Sequence, residues 1–138
     1  MSQYLLDTNI CIHWSKDEFD LRQKILQIGV ENCFISELTI AELLYGIAKS
    51  APSKQAANRH SLAILQQLFA GRILLVGTCF EVYGPEKVRL RALGRPIDEF
   101  DLLIGCTALA HGLTLVTRNT RHFAPIATLT LENWIDQS

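Results

Sequence analysis

Gln3-Tyr4-Leu5-Leu6-Asp7-Thr8-Asn9 is the stretch on which the fold turns. Residues 3–6 read as a short strand that stops at an aspartate. Working outward, similar short apolar runs recur at Cys33-Phe34-Ile35-Ser36, Ile73-Leu74-Leu75-Val76 and Leu113-Thr114-Leu115-Val116-Thr117, with a last short strand expected near Thr128 to Leu131. The segments between them have helical periodicity. Residues 20–30 carry Leu21, Ile25, Ile28 and Val30; residues 40–49 carry Ile40, Leu43, Leu44 and Ile47; residues 54–70 carry Ala57, Leu62, Leu65 and Leu68 and end at Gly71. Further helices are expected over 80–93, where Pro85 leaves the first turns undefined, and over 99–111, stopped by Gly112. Ala51-Pro52-Ser53 and Gly94-Arg95-Pro96 are breaks. Continuous apolar strands separated by helices predict an α/β fold: a short central parallel sheet flanked by helices, one domain over residues 1–138. Right-handed crossovers then align the carboxyl ends of the strands along one edge, where open parallel sheets bind their ligands.

Composition agrees with one packed domain. Hydrophobic residues are 49% and charged residues 20% of 138, enough for a core and unlike a disordered chain. Thirteen Lys and Arg against 14 Asp and Glu give a net charge of -1, which excludes a protein that coats nucleic acid by bulk charge but not one with a local basic groove. Asp7 interrupts the opening apolar run, so no secretory leader is expected, and no apolar stretch reaches a membrane span of roughly 18 residues. Cys11, Cys33, Cys79 and Cys106 form no Cys-x-x-Cys pair and have apolar neighbours, which reads as buried free thiols in a cytoplasmic protein. His13, His60, His111 and His122 lack metal-ligand spacing, so a structural zinc site is not expected.

The chemistry lies in the acids. Asp7 directly follows the first strand; its plain role is a helix N-cap. Glu42 sits three residues after Thr39, a match to a capping box with Thr39 as the cap. Asp101 belongs to Asp98-Glu99-Phe100-Asp101, where Asp98 and Asp101 share a helical face; a first helical turn favours acids, but three in four residues exceed what capping requires. Asn119, after the strand ending at Thr117, offers an amide oxygen, or else is a turn residue. These oxygen donors fall after strands or at helix starts along the predicted binding edge. Hard oxygen donors without a His or Cys cluster select Mg²⁺ or Mn²⁺ over Zn²⁺, and a carboxylate-held Mg²⁺ suits phosphodiester hydrolysis. Lys87, Arg89, Arg91, Arg95, Arg118 and Arg121 concentrate in the same third of the chain. The first three read as a solvated helix face, whereas Arg95, Arg118 and Arg121 flank the acids and suit phosphate.

Several segments together resemble a known family. Leu5-Leu6-Asp7-Thr8-Asn9-Ile10 resembles the opening motif of PIN domains. Ile35-Ser36-Glu37-Leu38-Thr39-Ile40-Ala41-Glu42-Leu43-Leu44-Tyr45-Gly46 resembles the second motif as it occurs in VapC toxins. Gly94-Arg95-Pro96-Ile97 with Phe100-Asp101-Leu102-Leu103-Ile104 resembles the third, Leu115 to Phe123 the fourth, and Leu131-Glu132-Asn133-Trp134 the C-terminal ending. The resemblance implies a Mg²⁺- or Mn²⁺-dependent endoribonuclease, the toxin of a toxin–antitoxin pair, that forms a homodimer and is inhibited by a small VapB-like antitoxin. It implies an acidic metal site of Asp7, Glu42 and Asp101, with Asn119 completing the catalytic set and Thr8 orienting Asp7 or a water. Such relatives often cut structured RNA, transfer RNA among it. The apolar surplus in Trp14 to Ile28 and in Ile40 to Ala48 then suggests a groove for an antitoxin helix, with a tightly packed helical clip as the other reading.

The sequence departs from the pattern in places. Asn119 stands where many PIN domains carry an aspartate, His122 where relatives often carry an acid, and Asp98-Glu99 where a Gly-Pro pair is common. The alternative they leave is a degenerate PIN domain that binds RNA or protein without cleaving. A receiver module would need an aspartate after a middle strand, where Val76-Gly77 stands, and a haloacid-dehalogenase-type phosphatase a second aspartate at the position of Asn9.

Overall fold

A computed structural model describes residues 2–136. β1 (Tyr4–Leu6) leads into α1 (Thr8–Ser15) and α2 (Leu21–Ile28); β2 (Cys33–Ser36) leads into α3 (Glu37–Lys49) and α4 (Pro52–Leu68). β3 (Ile73–Leu74), α5 (Phe80–Ala92), α6 (Glu99–Ala110), β4 (Thr114–Val116), α7 (Thr120–Phe123) and β5 (Leu131–Glu132) complete the order. The strands pair in parallel in the order β3-β2-β1-β4-β5. The chain runs outward from β1 to β2 and β3, then returns to the other side of β1 for β4 and β5. The strand order therefore reverses between β1 and β4, where an open α/β sheet leaves a crevice at its carboxyl ends. In register, Leu6 faces Val116, and the Asp7 amide donates to the Val116 carbonyl at 2.9 Å.

Because successive strand residues point to opposite faces, the sheet supports two cores. Leu6, Ile35 and Val116 pack with Ile10, Leu21, Ile25, Ile47, Leu62, Leu65 and Phe69 on the face covered by α1–α4. Leu5 and Leu115 pack with Leu90, Leu102, Ile104 and Phe123 on the opposite face. At Gly112, φ is +65°, and the Gly112 and Leu113 amides return to the Leu109 and Ala108 carbonyls, a Schellman stop that turns α6 straight into β4. All four cysteines are free and buried; burial pushes the Cys33 thiol up to about 11 and the Cys106 thiol up to about 12. Among the described residues no helix is long and apolar enough to cross a membrane.

Several expected boundaries move. The helix expected from residue 40 begins at Glu37, because the Ser36 hydroxyl accepts from the Leu38 amide. Thr39 is therefore inside the helix, and the Thr39–Glu42 capping box does not form. The strand expected over 73–76 ends at Leu74: the Val76 amide donates to Glu37 Oε1 at 2.6 Å, and Val76–Cys79 winds into a 3₁₀ turn. The last strand lies at Leu131–Glu132 rather than 128–131, since Thr128, at φ 62°, cannot continue a ladder. Pro85 lies inside an unbroken α5. Residues 8–15, for which the sequence pattern gave no boundaries, form α1 directly after Asp7.

Candidate active site

The crevice between β1 and β4 holds Asp7. Its carboxylate is buried, and its partners come from the start of α1 and the end of β4. Oδ1 accepts from the Thr8 amide at 2.8 Å. Oδ2 accepts from the Thr117 hydroxyl at 2.8 Å and, more distantly, from Asn9 Nδ2 at 3.4 Å. Asp7 does occupy the N-cap position of α1, so the capping role and a chemical role coincide. Burial holds its pKa above the ordinary carboxylate value, although the Thr117 and Thr8 donors pull it down.

Glu42 reaches the same crevice from α3. It caps nothing; the Thr8 hydroxyl donates to its Oε1 at 2.6 Å, and the Thr39 hydroxyl lies 3.0 Å from that of Thr8. Thr8 thus ties α1 to α3, its amide on Asp7 and its hydroxyl on Glu42. Burial raises the Glu42 pKa, and the charges of Asp7 and Asp98 raise it further. Asp101, in the first turn of α6, is pushed up to about 6 by burial and then by Asp7, with smaller contributions from Asp98 and Glu42; His122 opposes them. His122 Nε2 lies 3.2 Å from Asp101 Oδ2. Asp98 is the N-cap residue of α6, but its side chain caps no amide.

The structure thus brings Asp7, Glu42 and Asp101 within range of one another's charge, with Asp98 at the margin. Among the described residues, no three Asp, Glu, His or Cys side chains are close enough to cage a bare ion. The donor set, carboxylates that repel one another as they ionise, fits a hard divalent cation that keeps part of its water shell. Asn119 is exposed at the head of α7, its amide donating to the Thr117 hydroxyl at 3.1 Å. Arg121 is also exposed, and with Arg118, Asn119, Thr120 and His122 it lines an open bowl of about 420 Å³. The Arg118 guanidinium turns to Asp136. Arg95 is exposed in the link between α5 and α6, with no hydrogen bond from its side chain to the acids among the described residues.

Sequence reasoning missed Asn9 and Thr117. Asn9 Nδ2 also reaches the Thr117 hydroxyl at 3.3 Å, and its Oδ1 accepts from the Arg118 amide at 3.2 Å. The two side chains clamp the ends of β1 and β4 and set the orientation of Asp7. Asn9 was visible within the opening motif, but nothing in its own neighbourhood points to a partner 108 residues away. Asn9→Ala is expected to leave the Arg118 amide unsatisfied, at about 1 kcal/mol of stability. It should also lower any metal-dependent activity about ten- to a hundred-fold through the misoriented Asp7. Thermal melts and cleavage rates of the same preparation check both, and an unchanged rate would remove Asn9 from the site.

The PIN domain family model matches residues 4–129. A relative named ribonuclease VapC2, from Rickettsia felis, is 36% identical over 136 residues, covering 95% of this chain and 97% of the relative. The Shigella flexneri protein named tRNA(fMet)-specific endonuclease VapC is 31% identical over 137 residues, covering 97% and 99%. Among solved structures, that of VapBC2 from Rickettsia felis bound to a DNA fragment from their promoter superposes with a TM-score of 0.83 at 35% identity, covering 95% of this chain and 98% of that one.

Proposed function

The chain belongs to the PIN domain family, and on that premise we propose that it is a divalent-metal-dependent endoribonuclease acting as the toxin of a toxin–antitoxin pair. The observation that carries the proposal is the meeting of Asp7, Glu42 and Asp101 at the carboxyl edge of the sheet, each lifted in pKa by burial and the latter two also by their neighbours' charge. In this reading Asp7, Glu42 and Asp101 hold Mg²⁺ or Mn²⁺. When bound, the cation supplies charge for a phosphate oxygen and acidifies a water. The protein's part is orientation. Thr8 and Thr117 fix the Asp7 oxygens, Thr8 fixes Glu42, and Asn119, exposed at the head of α7, is assigned to water or substrate. Arg121 and Arg95 are the exposed cations we assign to flanking phosphates. Transfer RNA is the substrate class to try first, since the Shigella relative is named for one.

The partner follows the same premise. The Rickettsia structure is of a VapBC pair, and we assign to a VapB-like antitoxin the cavity of about 290 Å³ between α1, α3 and α4. Ile12, Glu42, Leu43, Ile47 and Leu62 line it, and Leu44, Tyr45 and Ile64 are exposed large hydrophobics on the same helices. A helix seated there would reach Glu42 directly. Self-association is assigned to the opposite flank, where Leu75, Phe80, Val88 and Leu93 are exposed along and beside α5. The setting is cytoplasmic.

The purified protein is expected to cut total RNA in Mg²⁺ or Mn²⁺, to lose all cleavage in EDTA, and to regain it when the divalent ion is restored. A degenerate domain is the second reading, favoured by the exposed Asn119 and by the His122 ring on Asp101. Binding of RNA without cleavage under all these conditions would establish it instead.

A further inference from the structure

Arg118 and Asp136 form a paired-fork contact: Arg118 Nε donates to Asp136 Oδ2 at 3.0 Å and Nη2 to Oδ1 at 3.2 Å. The side chains are 38% and 54% exposed, so the pair lies at the surface. The guanidinium also lies over the Phe19 ring, 5.0 Å from its centroid. Phe19 is itself presented by a strained link between α1 and α2, in which Asp17, Phe19 and Asp20 all have left-handed φ values of 56°, 59° and 55°. The Arg118 amide meanwhile rests on Asn9, which touches Asp7. Arg118 shares a bowl with Arg121 and His122, and the His122 ring in turn contacts Asp101. A pre-oriented guanidinium thus stands at the end of β4, in the same bowl as Arg121 and His122, with the Asp136 carboxylate in its fork.

The pair does little for anchoring. The C-terminal turn is already fixed by buried Trp134, whose ring meets Tyr4 edge-on at 5.2 Å and whose indole N–H donates to Glu132 Oε1 at 2.9 Å. The same turn is closed internally, Asn133 Oδ1 accepting from the Ile135 and Asp136 amides. Asp136 is therefore delivered to the guanidinium by a turn that stands without it. A carboxylate and a phosphodiester present the same pair of oxygens to an Arg fork, and an exposed ion pair is worth little, so it yields readily to a polyanion.

We propose that Arg118 is a phosphate-binding residue of the RNA path that the free protein keeps occupied with its own Asp136, the carboxylate standing in for a substrate phosphodiester until RNA displaces it. The proposal rests on the ribonuclease reading. It makes the C-terminal turn a built-in competitor whose carboxylate an RNA strand must displace before Arg118 takes a phosphate.

The test is anisotropy of a fluorescein-labelled RNA stem-loop in EDTA, with the wild-type protein, Asp136→Asn, Arg118→Ala and the double variant. Asp136→Asn is expected to bind about two- to five-fold tighter, the range that release of an exposed ion pair allows. Arg118→Ala should bind about ten-fold weaker, and the slope of log Kd against log salt should fall by about 0.7 for one lost single-strand phosphate contact. In the Arg118→Ala background, Asp136→Asn should change nothing. Equal tightening with and without Arg118 would mean bulk charge alone and overturn the proposal, as would an Arg118→Ala variant that keeps both affinity and slope. If the wild-type protein cuts total RNA in Mg²⁺ while either of those results appears, only this inference falls; a protein that neither cuts nor binds RNA overturns the ribonuclease reading with it.

Discussion

Asp7→Asn is expected to abolish RNA cleavage while leaving the domain folded. The substitution keeps an oxygen for the Thr8 amide, so the cap of α1 survives. The new amide nitrogen faces the Thr117 hydroxyl, which already accepts from Asn9 Nδ2 and the Asn119 backbone amide, and Asn9 Nδ2 itself, so both contacts to Oδ2 are lost. Loss of those bonds costs about 1 kcal/mol and is offset by removing a buried charge. Stability should therefore stay within about 1 kcal/mol of the wild type. Activity should not: removing a carboxylate from a metal site forfeits several kcal/mol of transition-state stabilisation, about three orders of magnitude in rate. Single-turnover cleavage of labelled RNA measures the loss, and relief of growth arrest on expression without the antitoxin gives a second readout. Full activity in a folded Asp7→Asn protein would sink the site assignment.

Asp101→Asn is expected to lose activity to a similar degree and, without divalent ions, to gain stability at neutral pH. Burial and the charge of Asp7, with smaller pushes from Asp98 and Glu42, raise this carboxyl from 3.8 to about 6, against His122. A carboxyl whose pKa rises on folding binds its proton more tightly in the folded chain. Its contribution therefore favours folding at low pH and is lost as pH climbs from 3.8 through about 6. At pH 7 the ionised group is a net cost, on the order of 1 kcal/mol for a half-buried side chain. The variant should melt above the wild type at pH 7 in EDTA, and the gap should close as pH approaches the unfolded value. Mg²⁺ should raise the melting temperature of the wild type more than that of the variant, because it stabilises only the state that binds it. An Asp101→Asn protein less stable than the wild type at pH 7 would show that the His122 contact, rather than the charge of the acids, dominates at this position.

The two variants divide the site between them. Asp7 is held by short-range donors from its own strand end and the next strand, so its removal is mostly a chemical loss. Asp101 is held mainly by the backbone of α6, beside His122 and among repelling acids, so its removal also relieves strain on the fold. Acids that destabilise the metal-free protein, if the melts show it, are the pattern expected of groups arranged for a cation.

Much of this was written into the sequence. The alternation of short apolar runs with amphipathic segments dictated a parallel sheet covered on both faces, because only that arrangement buries Leu5 and Leu6, or Leu115 and Val116, on opposite sides at once. Asp7, Glu42 and Asp101 could be named as candidates because acids after strands and at helix starts are local signals. The tertiary structure decided what local signals cannot carry. The spacing of Thr39 and Glu42 satisfies a capping box on paper, yet Ser36 captures the helix start and frees Glu42 for Thr8, 34 residues away in sequence. The strand at 73–76 looked uniform, but a single Glu37 side chain ends it. Asn9 and Thr117 gained their role only when β4 came to lie beside β1. Arg118 read as a ready phosphate ligand until the C-terminal turn placed Asp136 in its fork. Periodicity and caps are properties of neighbours along the chain, whereas the orientation of a carboxylate is set by hydrogen bonds whose partners only the crossover topology brings together.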